Sequence, residues 1–287
     1  MHPSLSIELL RARYGDRRRS PTMADPSATL PLLTCIAYAL PLLGVGGCGL
    51  LFETYVLKFS TDVLFISPGT MGLIFSISRL WDAISDPIAG YMCDITRSAI
   101  GRRRLWMLCS ALPLGLAFYC TFAPPAGHHS SIGLESWMLG AILSFYTSLT
   151  VFKMPSNALG VELSERAPYH ERSRLFGYKS LFDGVGSLFG VGLMAALMSR
   201  EREGAASVRS VAAACGAGWG VLTACLILAS VAMLREAPGR HIVPRRNPFE
   251  LVPVVLRSPH ARLFTGVLVL HDGCKATFAN LAPYALQ

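Results

Sequence analysis

The sequence predicts an all-α, polytopic membrane protein, and three observations lead there. Apolar residues make up 52% of the 287 and charged residues only 15%, against about a quarter charged in soluble domains. Seven apolar runs follow one another, each near the roughly 20 residues that a helix needs to cross a bilayer. The Lys and Arg residues fall mainly between the runs, on alternate sides. The composition excludes a disordered chain, because too much apolar surface is available to bury. Eight Cys without ligand-type spacing point neither to a disulfide scaffold nor to a metal centre. The net charge of +8 sits in loops between apolar runs, so no nucleic-acid partner is expected. The expected surroundings are a lipid bilayer.

In chain order, residues 1–30 form a polar, basic tail with Arg11, Arg13, Arg17, Arg18 and Arg19. No short apolar core or small-residue cleavage site follows in range, so the segment is expected to be a cytosolic tail and not a signal peptide; an organelle transit peptide is the alternative, disfavoured by Glu8, Asp16 and Asp25. The apolar runs cover about 32–57, 71–93, 105–122, 137–159, 175–198 and 211–234, and a seventh starts near 263. Residues 31–234 are thus a six-helix transmembrane unit, 235–262 a cytosolic loop and 263–287 a seventh helix. With the N-terminus inside, the inner segments hold 18 Lys and Arg and the outer segments three, which fixes the expected orientation.

Charges inside spans are costly and point to function. The second span carries Arg79, Asp82 and Asp86, followed by Gly90. At about 100° per residue these four share an arc of about 80°. Two carboxylates one turn apart in apolar surroundings need a counter-charge: a monovalent cation, a shared proton or a basic neighbour. Pro87 frees the carbonyl of Ala83 beside them. An Arg79–Asp82 ion pair without any transported ion is the plainer reading. The fifth span places Lys179, Asp183, Gly186 and Gly190 within about 60°. Gly186 and Gly190 make a close-packing surface, and Lys179 and Asp183 either neutralise each other or line a cavity. In the fourth span Lys153 stands beside Pro155, between Thr150 and Asn157, with no acid on its own helix; Asp82 and Asp86 are candidate partners. His271, Asp272 and Lys275 recur at helical spacing in the seventh. Glu53 and Lys58, late in the first, are expected to reach the interface.

Gly90-x3-Asp94, then Gly101-Arg102-Arg103-Arg104, forms a charged clamp at the cytosolic end of the second span, with Gly90 permitting close helix approach. This pattern resembles the loop between helices two and three of the major facilitator superfamily. The run Arg79-Leu80-Trp81-Asp82-Ala83-Ile84-Ser85-Asp86-Pro87-Ile88-Ala89-Gly90, with Thr61-Asp62-Val63 before it, resembles the glycoside–pentoside–hexuronide:cation symporters typified by melibiose permease. So does Pro155-Ser156-Asn157-Ala158-Leu159-Gly160-Val161-Glu162-Leu163, with Glu171-Arg172-Ser173-Arg174-Leu175 and Tyr178-Lys179 after it. The resemblance covers about residues 30–285, the N-terminal six-helix bundle plus helix seven.

The resemblance implies a cation-coupled secondary transporter of sugars, glycosides or other small organic solutes. H⁺ or Na⁺ would bind at Asp82 and Asp86 with Thr150 nearby. It implies no cofactor and no metal beyond that Na⁺. Arg79 and Lys179 match basic residues of the family, and Lys153, Asn157 and Asp183 complete the expected substrate cavity. Three positions depart from the sugar-binding pattern. The helix-one acid falls near Gly46, the helix-four acid on Lys153 and the stacking aromatic near Asn157. Lys153 would then serve as an internal cation or bind an anionic group. The lysophospholipid symporters of the same wider family, which keep the helix-two acids, are the alternative.

No enzyme is expected. The phosphatidyltransferase Asp pattern fails at Ser98 and Pro87, and no nucleophilic triad stands out. The chain holds half of a twelve-helix fold and the start of the other, so it is expected to be a fragment. The partner would be the missing C-terminal half, or a second copy docked through the Gly186/Gly190 or Gly216/Gly220 faces. A half-protein that does not transport is the remaining alternative.

Overall fold

The computed structural model describes residues 29–125, 131–165, 167–200, 205–236 and 257–285, and among these it contains helices and no strand. The long helices are α1 (Leu32–Thr54), α2 (Pro68–Ile95), α3 (Arg102–Phe122), α4 (Ser131–Leu163), α5 (Tyr169–Arg200), α6 (Ala205–Met233) and α7 (Pro259–Ala285). Among the described residues, five segments are long and apolar enough to cross a membrane: Leu32–Thr54, Arg102–Phe122, Gly133–Leu163, Tyr169–Arg200 and Val208–Met233. α2 is 28 residues long, or about 42 Å at 1.5 Å per residue, and lies along α4. Its acids and Arg79 lower its hydropathy. The chain is an all-α polytopic membrane protein.

Local chemistry sets the helix ends. Ser67 caps α2 by accepting the Thr70 N–H at 3.1 Å, and Pro68 supplies a first residue that needs no donor. α1 runs on through a turn at Val56–Lys58 and a π-helical turn at Phe59–Val63. Phe65, at φ 57°, then reverses the chain into α2. Prolines 41, 87, 113 and 155 lie inside α1, α2, α3 and α4, tolerable where neighbouring helices cover the freed carbonyls.

α1 is the centre of the unit, packed against α5 and α6, while α2 lies on α4 and α3 on α4 and α6; α7 touches α1. The sequence of α1 explains its place, because Ala37, Ala39, Gly44, Gly46, Gly47 and Cys48 are buried and let backbones meet. In lipid such contacts replace the hydrophobic effect as the source of helix association. Larger residues fill the α1–α4 seam: Phe52 stacks on Phe145 with centroids 4.0 Å apart and planes 9° apart, and Phe118, Phe122, Tyr55 and Phe59 continue the aromatic layer.

Several expectations change. A Cβ on Gly186 would strike the Leu43 carbonyl oxygen, and Gly190 faces Gly47. Gly216 lies against Phe122, and Gly220 faces Gly115 across the α3–α6 seam. Both small-residue faces are therefore consumed inside the unit and offer nothing to a second copy. Lys58 is 1% exposed and pairs with Asp62 at 2.7 Å, so it does not reach an interface. Among the described residues nothing lies within 4 Å of where a Gly90 Cβ would be, so no close approach occurs there. The side chains of His271, Asp272 and Lys275 and the expected tail at 1–28 lie outside the described residues, as does 237–256 of the expected loop.

Candidate functional site

The charged residues of α2 converge with α4 and α1. Helical spacing sets Arg79, Asp82 and Asp86 along one side of α2, and that side lies on α4. There the Thr150 hydroxyl donates to Asp86 Oδ1 at 2.7 Å. A cavity of about 130 Å³ opens at the seam, lined by Glu53 of α1, by Arg79, Asp82 and Asp86 of α2, and by Tyr146, Thr150 and Lys153 of α4. Phe52, Phe145 and Leu149 form its apolar wall.

Arg79 Nη1 stands 3.8 Å from Asp82 Oδ2, and its guanidinium lies 5.0 Å from the Tyr146 ring centroid, a cation–π distance. The expected Arg79–Asp82 pair thus exists at the long end of an ion pair. It leaves work undone, because Asp82 Oδ1 is buried with no hydrogen-bond partner. A buried carboxylate oxygen without a donor is costly. Next to Asp82, Trp81 Nε1 donates to Thr147 Oγ1 at 2.8 Å, tying α2 to α4 one turn from Thr150.

The fifth helix contributes at a second level. Lys179 donates to Asn157 Oδ1 of α4, so Lys179 and Asn157 are brought together across helices. Asp183 meets α1 instead: a Cβ on Gly46 would collide with the Asp183 carbonyl oxygen and come within 3.0 Å of its carboxylate. The acid at this level of the bundle therefore comes from α5, and α1 has no room for a side chain there.

The clamp residues lie apart from this cavity, at the basic end of the bundle. Arg102 reaches Asp94 at 3.9 Å and binds Glu162 of α4, which Arg103 also meets at 2.8 Å. Gly101 takes φ +114°, and Glu236, just past α6, fills the space a side chain there would need. Its carboxylate accepts the backbone N–H of Arg103 at 3.1 Å and of Arg104 at 3.3 Å. Glu236 thereby caps α3, where the helix dipole favours an anion. Arg103 also binds the Ala158 carbonyl, and Arg104 binds that of Val231. Glu53 lines the cavity and does not reach the interface expected for it, while Tyr146, Glu162 and Glu236 carry no charge pattern in the sequence that marks them as site residues. Three consecutive Arg facing one end of a bundle do signal that acids from other helices must end there, and Glu162 and Glu236 are the acids at those helix ends.

A second cavity, of about 700 Å³, is bounded by α3, α4 and Trp81. It carries no Asp, Glu, Lys or Arg, and Trp81 on its wall neighbours Asp82 of the charged cavity.

The sequence model of the family described as MFS/sugar transport protein matches residues 37–282. An uncharacterized symporter, sll1374 of Synechocystis, is 33% identical over 138 residues, which is 47% of this chain and 25% of that protein. The inner membrane symporter YicJ of Escherichia coli is 36% identical over 110 residues, 37% of this chain and 23% of its own. The sodium-dependent lysophosphatidylcholine symporter 1 of Xenopus tropicalis is 26% identical over 158 residues, 55% of this chain and 29% of its own. Each matched stretch thus spans less than a third of the relative's length. The match at 37–282 runs from α1 into α7 and takes in every residue of the charged cavity: this chain belongs to the MFS/sugar transport protein family.

Proposed function

We propose that the chain is the N-terminal part of a cation-coupled secondary transporter, with Asp82, Asp86 and Thr150 as the coupling site. The observation that carries this reading is the Thr150–Asp86 hydrogen bond beside the unsatisfied Asp82 oxygen, in one charged cavity between helices that are otherwise apolar. Binding a proton or monovalent cation there relieves the repulsion of two carboxylates and draws α2 and α4 together. That is the differential contact an alternating-access cycle requires. The solute is a sugar, a glycoside or another small organic molecule, held between Lys153, Asn157, Lys179 and Asp183. The N-terminus and the Arg102–Arg104 end face the cytosol, as the distribution of Lys and Arg favours.

A lysolipid is the second reading. Gly46 and Lys153 replace the two acids that would hold sugar hydroxyls, and one of the relatives is named for lysophosphatidylcholine. Uptake of labelled sugars and lysolipids into vesicles carrying the expressed gene product, with and without an imposed H⁺ or Na⁺ gradient, tests both. Gradient-driven sugar accumulation supports the first. Accumulation of lysolipid alone selects the second, and uptake of either class that neither gradient drives rejects the coupling site.

A further inference from the structure

Lys153 lies on the cavity wall with both α2 acids, one turn beyond Thr150, whose hydroxyl binds Asp86. Lys153 is exposed and stands beyond ion-pair distance of both acids, its charge acting from there on Asp82 and on Lys179. The charged groups around it are Glu53 from α1 and Arg79, Asp82 and Asp86 from α2, which line the same cavity, and Lys179 from α5. Three carboxylates of the cavity itself therefore meet two fixed cations, Arg79 and Lys153. Arg79 is turned toward Asp82 and the Tyr146 ring. Lys153 is the cation that approaches the acids from the α4 side, the same side from which Thr150 reaches Asp86.

We infer that Lys153 is a tethered counter-cation for the Asp82/Asp86 pair, and that it keeps Na⁺ out of the site. A lysine ammonium and Na⁺ carry the same charge and seek the same carboxylate oxygens. A cation on a side chain of the cavity wall has a local concentration that no dissolved ion matches. A Na⁺ ion entering beside it would meet like charge in a medium far less screening than water. This inference rests on the reading of Asp82 and Asp86 as the coupling site. It adds to that reading a selectivity against Na⁺ set by one residue.

The test is direct binding of ²²Na⁺ to the purified, detergent-solubilised chain, with choline chloride holding ionic strength constant. The unmodified chain is expected to show no saturable binding up to tens of millimolar. Lys153→Asn is expected to gain saturable binding, tighter by at least about tenfold, since a like charge is removed from the cavity wall. Lys153→Arg, which keeps the charge, is expected to stay silent. A gain in Lys153→Asn also shows that the variant is folded. Lys153→Asn/Asp82→Asn should lose the gain, which places the new ion at the acids. Saturable Na⁺ binding by the unmodified chain that Lys153→Asn leaves unchanged or weakens would overturn the inference. So would the absence of binding in both. Failure of the coupling reading is separate: it appears as absent H⁺-driven uptake even where Lys153→Asn binds Na⁺.

Discussion

Thr150 Oγ1 donates to Asp86 Oδ1 at 2.7 Å, joining α4 to the acid face of α2. The bond is charge-assisted and lies inside the bundle, so it is worth more than a surface contact. It also places a hydroxyl oxygen beside the carboxylates, a neutral group that takes part in holding the coupling cation or proton. Thr150→Val keeps the shape and removes both functions. It is expected to weaken the apparent affinity for the coupling cation by about 10- to 100-fold, with solute affinity at saturating cation little changed. Uptake measured against cation concentration checks this. An unshifted half-saturation point would remove Thr150 from the site.

Asp82→Asn and Asp86→Asn each remove one of two repelling charges. Neither should harm the fold, because Asn hydrogen-bonds as the neutral acid does. Cation-dependent uptake should vanish in the double variant, while its thermal unfolding stays within a few degrees of the parent or rises. Normal gradient-driven uptake by the double variant would refute the coupling role.

Gly46 is the position where the family resemblance puts a sugar-binding acid. Restoring it as Gly46→Asp drives a Cβ into the Asp183 carbonyl, and close-packed helices yield to such overpacking only at a cost of about 1–3 kcal/mol or more. The variant should run as aggregate or unfold at markedly lower temperature on fluorescence size-exclusion. Gly49→Ala, where nothing lies within 4 Å, should behave as the parent. A well-folded Gly46→Asp would show that α1 and α5 separate more readily than their contact implies.

Glu236→Ala uncaps α3. Two backbone donors and Arg102 lose a carboxylate, a loss of about 1–2 kcal/mol for a helix cap. Cys93, 3% exposed and near Arg102 and Arg103, is the reporter: its maleimide labelling rate should rise. Glu236→Gln, which retains an acceptor, should give an intermediate rate. Equal rates in all three would show that the cap does not hold this end closed.

Much of this architecture is legible in the sequence, for a physical reason. A span must be apolar along its length, so helices show as runs, and any charge inside one stands out. Helical geometry alone put Arg79, Asp82 and Asp86 on one face, and the three line one cavity. Relations between helices are another matter. Gly46 carries no sign that it lies on the backbone of Asp183, 137 positions away, because close packing leaves only an absence of side chain. Lys58 sits at the end of an apolar run and looks bound for water, yet the π-helical turn after it brings Asp62 into reach. Glu162 and Glu236 are ordinary acids at helix ends until α3 is placed between them.

Glu236 ends α6 and holds the start of α3, so the first residue group after the sixth helix is fastened to the third. Any tug transmitted by the chain beyond it arrives at the Arg102–Arg104 turn, not at α6 alone. The two peripheral helices are mechanically in series. The start of α3 and the end of α6 thus share one carboxylate as a common fastening, apart from the cavity where Asp86 and Thr150 are joined.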